Sequence, residues 1–353
     1  MRRWVKGLLF TGLGIIIAGI IALFIAFAIN GFSWKRTLLP GQPKKDAKIN
    51  TLEETINDEF SNIKVELGAA DIKVEKSEDG ICRVTYKYRG EDPHLEIGVS
   101  NDAFLEIGGS GNTLEIKQEG SDVDFDWENL DQILDHLYNQ VNQSFDNELG
   151  TLVIYLPEKE YEIVDIYTAS GEIESVNPIS CKEANLHTAS GDIQLENIKG
   201  KSMLNLAAAS GDLSIKNTEG FETVNIAVAS GNIEINDTAI SSQMNASAAS
   251  GDITLNQVRV SGRADLESTS GEIRLINTEF QEGEVETTSG DIYLEYAKAE
   301  KLFLKTTSGN IYGRIDADIN VRGTTTSGDY SAPSGTKGEW RTETTSGDVK
   351  LEY

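Results

Sequence analysis

Histidine and cysteine are scarce in this chain of 353 residues, with three of the first and two of the second. His94, His136 and His187 lie in unrelated segments, so no pair has zinc-ligand spacing and none stands as a base beside a nucleophile. Cys82 and Cys181 are too far apart in sequence to form a motif, and two cysteines decide nothing about compartment. Also missing are the Gly-x-Ser-x-Gly elbow, the P-loop and the dinucleotide fingerprint. These absences predict no catalytic residues and no cofactor. Basic residues run short past the amino-terminal segment. Residues 1–48 carry eight basic side chains against one acid, so with −26 overall the remaining 305 residues carry −33. A surface of that sign repels nucleic acid and anionic lipid and makes phosphate binding improbable.

What the chain has instead is a repeat. Thr-Ala-Ser-Gly-Glu-Ile at 168–173 recurs to the C-terminus, with serines at Ser170, Ser190, Ser210, Ser230, Ser250, Ser270, Ser289, Ser308, Ser327 and Ser346. Five intervals of twenty residues precede four of nineteen, and each serine is followed by Gly and then Asp, Glu or Asn. A fixed period near twenty means a solenoid. Leu204, Leu206 and Ala208 sit six, four and two residues before one serine, and Val224, Ile226 and Val228 before the next, the alternation of a strand with one buried face. Ile193 and Leu195, or Ile253 and Leu255, mark a second short strand three and five residues after it. Inward parity is even before the glycine and odd after it, so the chain turns a corner at Gly-Asp, where Gly accepts positive φ and Asp or Asn bonds nearby backbone. The predicted fold is all-β, a solenoid of stacked coils of 19–20 residues forming a rod about 50 Å long. Ile193, Leu213, Ile233, Ile253, Ile273, Ile292 and Ile311 are expected to form one buried column.

The repeated polar residues have two readings. Asn185, Asn205, Asn225 and Asn245 can form an amide ladder along the rod or simply hold coil edges. The corner column of Glu172, Asp192, Asp212, Asn232, Asp252, Glu272, Asp291, Asn310, Asp329 and Asp348 reads as a row of solvated turns. The sharper alternative is a cation ladder through Asp192, Asp212, Asp252, Glu272 and Asp291, since carboxylates one coil apart repel each other. Asp122-Val-Asp124-Phe-Asp126 imitates the start of a calcium loop, but Trp127 stands where that loop needs Gly and Ile133 where it needs Glu.

Residues 1–7 form a short basic tail. Residues 8–29 carry no charge and span about 33 Å as a helix, enough to cross a bilayer. A cleaved signal peptide competes with this anchor, because Ala26-Phe27-Ala28 resembles a peptidase site. Residues 30–59 read as a tether and 60–118 as degenerate first coils, with Ala69-Ala70 standing in for Ser-Gly. At 119–150 the period breaks: Trp127, Leu130, Ile133, Leu134, Leu137, Tyr138, Val141 and Phe145 predict an amphipathic helical insertion. Regular repeats fill 151–353.

The apolar segment, the Leu-Val-Ile-Tyr-Leu-Pro strand at 152–157 and the recurring Thr-Ala-Ser-Gly-Asp-Ile or Thr-Thr-Ser-Gly-Asp-Ile hexads together resemble a bacterial family called "putative adhesins". These are β-strand repeat domains of unknown function, similar to LiaG-like envelope-stress proteins. The resemblance covers about residues 60–353. It implies a solenoid outside the cytoplasmic membrane and supplies no catalytic residues. The expected protein is thus a single-pass, membrane-anchored extracytoplasmic solenoid that binds or scaffolds at the bacterial cell envelope and is no enzyme. Its partners would be the membrane through residues 8–29 and an envelope protein or glycan, with no nucleic acid. Charges flanking 8–29 slightly favour the opposite orientation. The alternatives are a polysaccharide-modifying β-helix enzyme, which needs paired outward acids, and a regulatory partner of an envelope-stress sensing system.

Overall fold

The computed structural model describes residues 49–89, 94–100, 111–118, 150–316 and 318–353. Every element among them is a β-strand. The apolar segment 8–29 and nearly all of the insertion 119–150 lie outside the described residues. Among the described residues no helix is long and apolar enough to cross a membrane.

Each coil contributes one strand to each of two parallel sheets. In the coil of Ser210, Met203–Ser210 belongs to the first sheet and Leu213–Lys216 to the second. Identical positions stack, so that Ser190, Ser210, Ser230, Ser250 and Ser270 are successive partners in register. Between strands the chain turns at Gly-Asp and again about six residues later, where Asn197, Asn217, Asp237, Gln257, Asn277 and Tyr296 have φ of 48–60°. Asn and Asp tolerate that left-handed conformation better than other side chains, which explains the asparagines seven residues after the serine. The expected column is present: Ile193, Leu213, Ile233, Ile253, Ile273, Ile292 and Ile311 follow one another in register and are at most 1% exposed.

The amino-terminal end is built differently. Strand β1 (Ile49–Ile56) lies inside the stretch read as tether, which therefore ends earlier than 59. Its apolar residues Ile49, Leu52 and Ile56 are spaced by three and four, so no period of two announced it. Strand β2 (Asn62–Lys76) is the degenerate first coil and crosses both sheets. Strand β3 (Cys82–Arg89) pairs antiparallel with β1, and β4 (Leu95–Ser100) pairs antiparallel with β5 (Thr113–Gln118). Strand β5 continues the first sheet, where Leu114 and Ile116 partner Ile63 and Val65. Strand β6 (Gly150–Leu156) runs parallel to the second half of β2 and antiparallel to β3. Strand β7 (Glu160–Ser170) then opens the regular stack against the other side of β2.

The carboxy-terminal end departs from sequence order. Ser346 is in register with Ser308 on one side and Ser327 on the other, so the last coil sits between the two coils that precede it. In the second sheet Val349 lies between Ile311 and Tyr330. The arrangement follows burial. Trp340, Val349 and Leu351 of the last coil are buried, and the Trp340 indole donates to the Ala299 carbonyl at 3.0 Å. Among the described residues of the Ser327 coil only Val321 is fully buried, with Ile319 and Ala332 partly buried against the core and Tyr330 exposed, and this coil forms the outer layer.

Candidate functional site

The corner acids of the repeat bond from coil to coil. The Asp192 carboxylate accepts the backbone N–H of Asp212 at 2.8 Å, and Asp212 accepts that of Asn232 at 2.7 Å. Asn232 accepts from Asp252 and Asp252 from Glu272, at 2.9 and 2.8 Å. Beyond Glu272 the row resumes, with Asp291 accepting from Asn310 and Asn310 from Asp348. Each of these side-chain oxygens is thus engaged by the next coil's backbone, which ties neighbouring coils together at the corner. Glu172 is the corner acid pushed upward in pKa, by burial first and then by Glu174, Asp192 and Asp71. Among the described residues no group of three or more His, Cys, Asp or Glu side chains is placed to hold a metal ion. Asn232 and Asn310 perform the same bonding without charge, so Asp212→Asn should leave the thermal midpoint unchanged or raise it. Asp212→Ala should cost about 1 kcal/mol by chemical denaturation.

A second set of corner bonds escaped the sequence reading. The hydroxyls of Thr168, Thr188, Ser268, Thr287, Thr306 and Thr344, two residues before the serine, donate to carbonyls at the corner of the adjacent coil, at 2.9–3.1 Å. These side chains face inward, where a hydroxyl must find an acceptor. The first Thr of Thr-Ala-Ser-Gly was the available signal.

The outer face of the first sheet carries the amide ladder. Asn205 donates to Asn185, Asn225 to Asn205 and Asn245 to Asn225, at 2.7–2.8 Å. Asp165 stands one coil below Asn185, with Lys64 as its other register neighbour. Burial, opposed by Lys64 and reinforced by Glu66 and Glu183, raises its pKa to about 7. A carboxyl that holds its proton more tightly when folded stabilises fully below about pH 4 and loses that contribution as pH rises through 7. Asp165→Asn should therefore stabilise the chain at pH 8 by on the order of 2–4 kcal/mol and much less at pH 5, and melting curves at the two values measure it. His187, on the same outward parity, is 2% exposed, and burial lowers its pKa to about 3. Its effect has the opposite sign, a loss of stability as pH falls below about 6.5.

The remaining candidates are not brought together. His94 sits at a strand entry with φ of 50°, and His136 lies outside the described residues. Cys82 and Cys181 are buried thiols, and burial raises them to about 11 and 12. Glu267 is raised by burial and by Glu286, its partner in register, but Glu286 is paired with Lys305 at 3.0 Å. Among the described residues the acids with raised pKa thus fall in three places: Glu172 on a corner, and Asp165 and Glu267 at separate levels of the first sheet.

A family model described as Toastrack DUF4097 matches residues 60–276 and 241–352. Among solved structures, a "putative adhesin" from Bacteroides fragilis is 16% identical, covering 89% of this chain and 99% of that one with a TM-score of 0.37. A "putative lipid binding protein" from Parabacteroides distasonis is 19% identical, covering 87% and 98% with a TM-score of 0.45. A "putative adhesin" from Parabacteroides merdae is 16% identical over 87% and 98%, with a TM-score of 0.39. No curated protein matches the chain.

Proposed function

The chain belongs to the Toastrack DUF4097 family, and from that premise we propose that it is a non-catalytic solenoid, anchored by residues 8–29 and displayed outside the bacterial cytoplasmic membrane, that binds or scaffolds at the envelope. One observation carries the reading: the polar groups repeated from coil to coil bond the neighbouring coil. Corner acids take backbone N–H groups, threonines reach corner carbonyls and asparagines bond one another. Repetition here serves the architecture, and the product is a rod of stacked coils whose outer faces run along its length. Extended faces of this kind suit recognition of an extended partner. Paired-acid hydrolysis needs two carboxylates flanking one bond, and the acids with raised pKa are dispersed.

Two experiments on cells test this. External protease on intact cells should remove residues 31–353 while the tail stays protected, and a protected domain beside a clipped surface protein would reverse the placement. Pull-down with the full chain from envelope extracts should recover a wall, glycan or protein component, and recovery of none would overturn the binding role.

A further inference from the structure

We propose that Tyr293 and Tyr312, with the carboxylates and guanidinium groups around them, form a binding site for an uncharged glycan strand; this names the ligand of the envelope-binding reading and rests on it. The two tyrosines occupy the same outward position, four residues after the serine, in successive coils of the second sheet. Their ring centroids are 5.3 Å apart and the planes are tilted by 51°. In the other coils that position is polar throughout, from Glu174 and Gln194 to Arg274 and Lys350, so the pair breaks the repeat where the repeat has no structural need of aromatics.

Both rings are pinned before any ligand arrives. The Tyr312 hydroxyl reaches back across a coil to donate to Glu272 at 3.1 Å, and the Tyr293 hydroxyl donates to Glu295 at 3.3 Å. Arg274 donates to the other oxygen of Glu272 at 2.7 Å, and Arg314 is the register neighbour of Glu295. Rings held in place lose little freedom on binding. The result is two half-buried aromatic rings one coil apart on the outer side of the second sheet, rimmed by donors and acceptors.

Sugar rings match this chemistry. Their C–H faces stack on aromatic rings, and their equatorial hydroxyls bond carboxylates and guanidinium groups laterally. Successive coils present successive rings, which suits consecutive sugars of a strand laid along the rod. The charge of −33 over residues 49–353 and the acids Glu272, Asp291 and Glu295 at the site disfavour an anionic polymer.

The test uses the full chain in a poly(oxyethylene) ether detergent, which carries no sugar. Titration with the hexamer of N-acetylglucosamine and with cellohexaose, followed by tyrosine fluorescence and saturation-transfer NMR, should show saturable binding to at least one of them. Y293A and Y312A should each weaken it roughly tenfold with unchanged melting. Tyr296→Ala, an exposed ring at the second turn, should change nothing. Binding that survives the double variant, failure to bind either hexamer, or preference for an oligogalacturonate would overturn the site. If the double variant still recovers its partner from envelope extracts, the site falls and the envelope-binding reading stands. If the extracts yield nothing while a hexamer binds through the two rings, the reverse holds.

Discussion

Gly251→Ala should destabilise the rod by several kcal/mol, although the change adds one methyl group to a surface corner. Gly251 has φ of 150°, in a region that side chains rarely adopt, and a Cβ there would lie 1.8 Å from the carbonyl oxygen of Gly231 in the adjacent coil. The obstacle is backbone, so no rotamer change relieves it. To admit the methyl group the two coils must separate, which breaks the Gly231 N–H bond to Ser250 and weakens the Gly251 bond to Ser270. Each coil touches only its neighbours, so the damage should stay local. Hydrogen exchange should show lost protection centred on the coils of Ser230 and Ser250, and melting should become broader or two-step. Gly98 is the control, because a Cβ there meets nothing within 4 Å. Gly98→Ala should leave stability nearly unchanged. Equal midpoints for the two variants would show that the stack relaxes freely at its corners.

The same stacking explains what could be read from the chain. Parallel, in-register pairing places equal positions of the repeat side by side, so the period, the parity and the isoleucine column follow from spacing alone. Register does not say which coil is next to which. Thr-Thr-Ser-Gly-Asn, Thr-Thr-Ser-Gly-Asp at 325–329 and Thr-Thr-Ser-Gly-Asp at 344–348 are nearly interchangeable partners, so the order of the last coils was decided by the burial of Trp340, Val349 and Leu351. The amino-terminal end resisted for another reason. β1, β3 and β4 pair antiparallel, outside the repeat, and only contacts distant in sequence set their place.

The candidate site was legible in part. That Asp192 and its equivalents mark a corner is visible from parity, but their task depends on a backbone N–H one coil away, which no local pattern encodes. Tyr293 and Tyr312 carry no signal in the period itself, which is defined by positions that recur. A departure carried the signal here, an aromatic appearing twice in succession at an outward position otherwise polar.

Ile253→Asp should be the most damaging single change in the regular coils, costing several kcal/mol and abolishing cooperative melting of the stack around it. Ile253 is fully buried and in register with Ile233 and Ile273, so a carboxylate there meets only hydrocarbon above and below. Protonation would spare the charge but still leave a buried hydroxyl without an acceptor, together with the packing lost from the missing side-chain volume. The informative comparison is Thr254→Asp, one residue along. Thr254 points outward, between Glu234 and Arg274 in register, and the added carboxylate can stay hydrated and face the Arg274 guanidinium. That variant should melt within a few degrees of the parent. Because side chains alternate with a period of two, a one-residue shift separates collapse from near-neutrality. Chemical denaturation of both variants measures the difference, and similar losses in the two would contradict the inward and outward assignment of the second sheet.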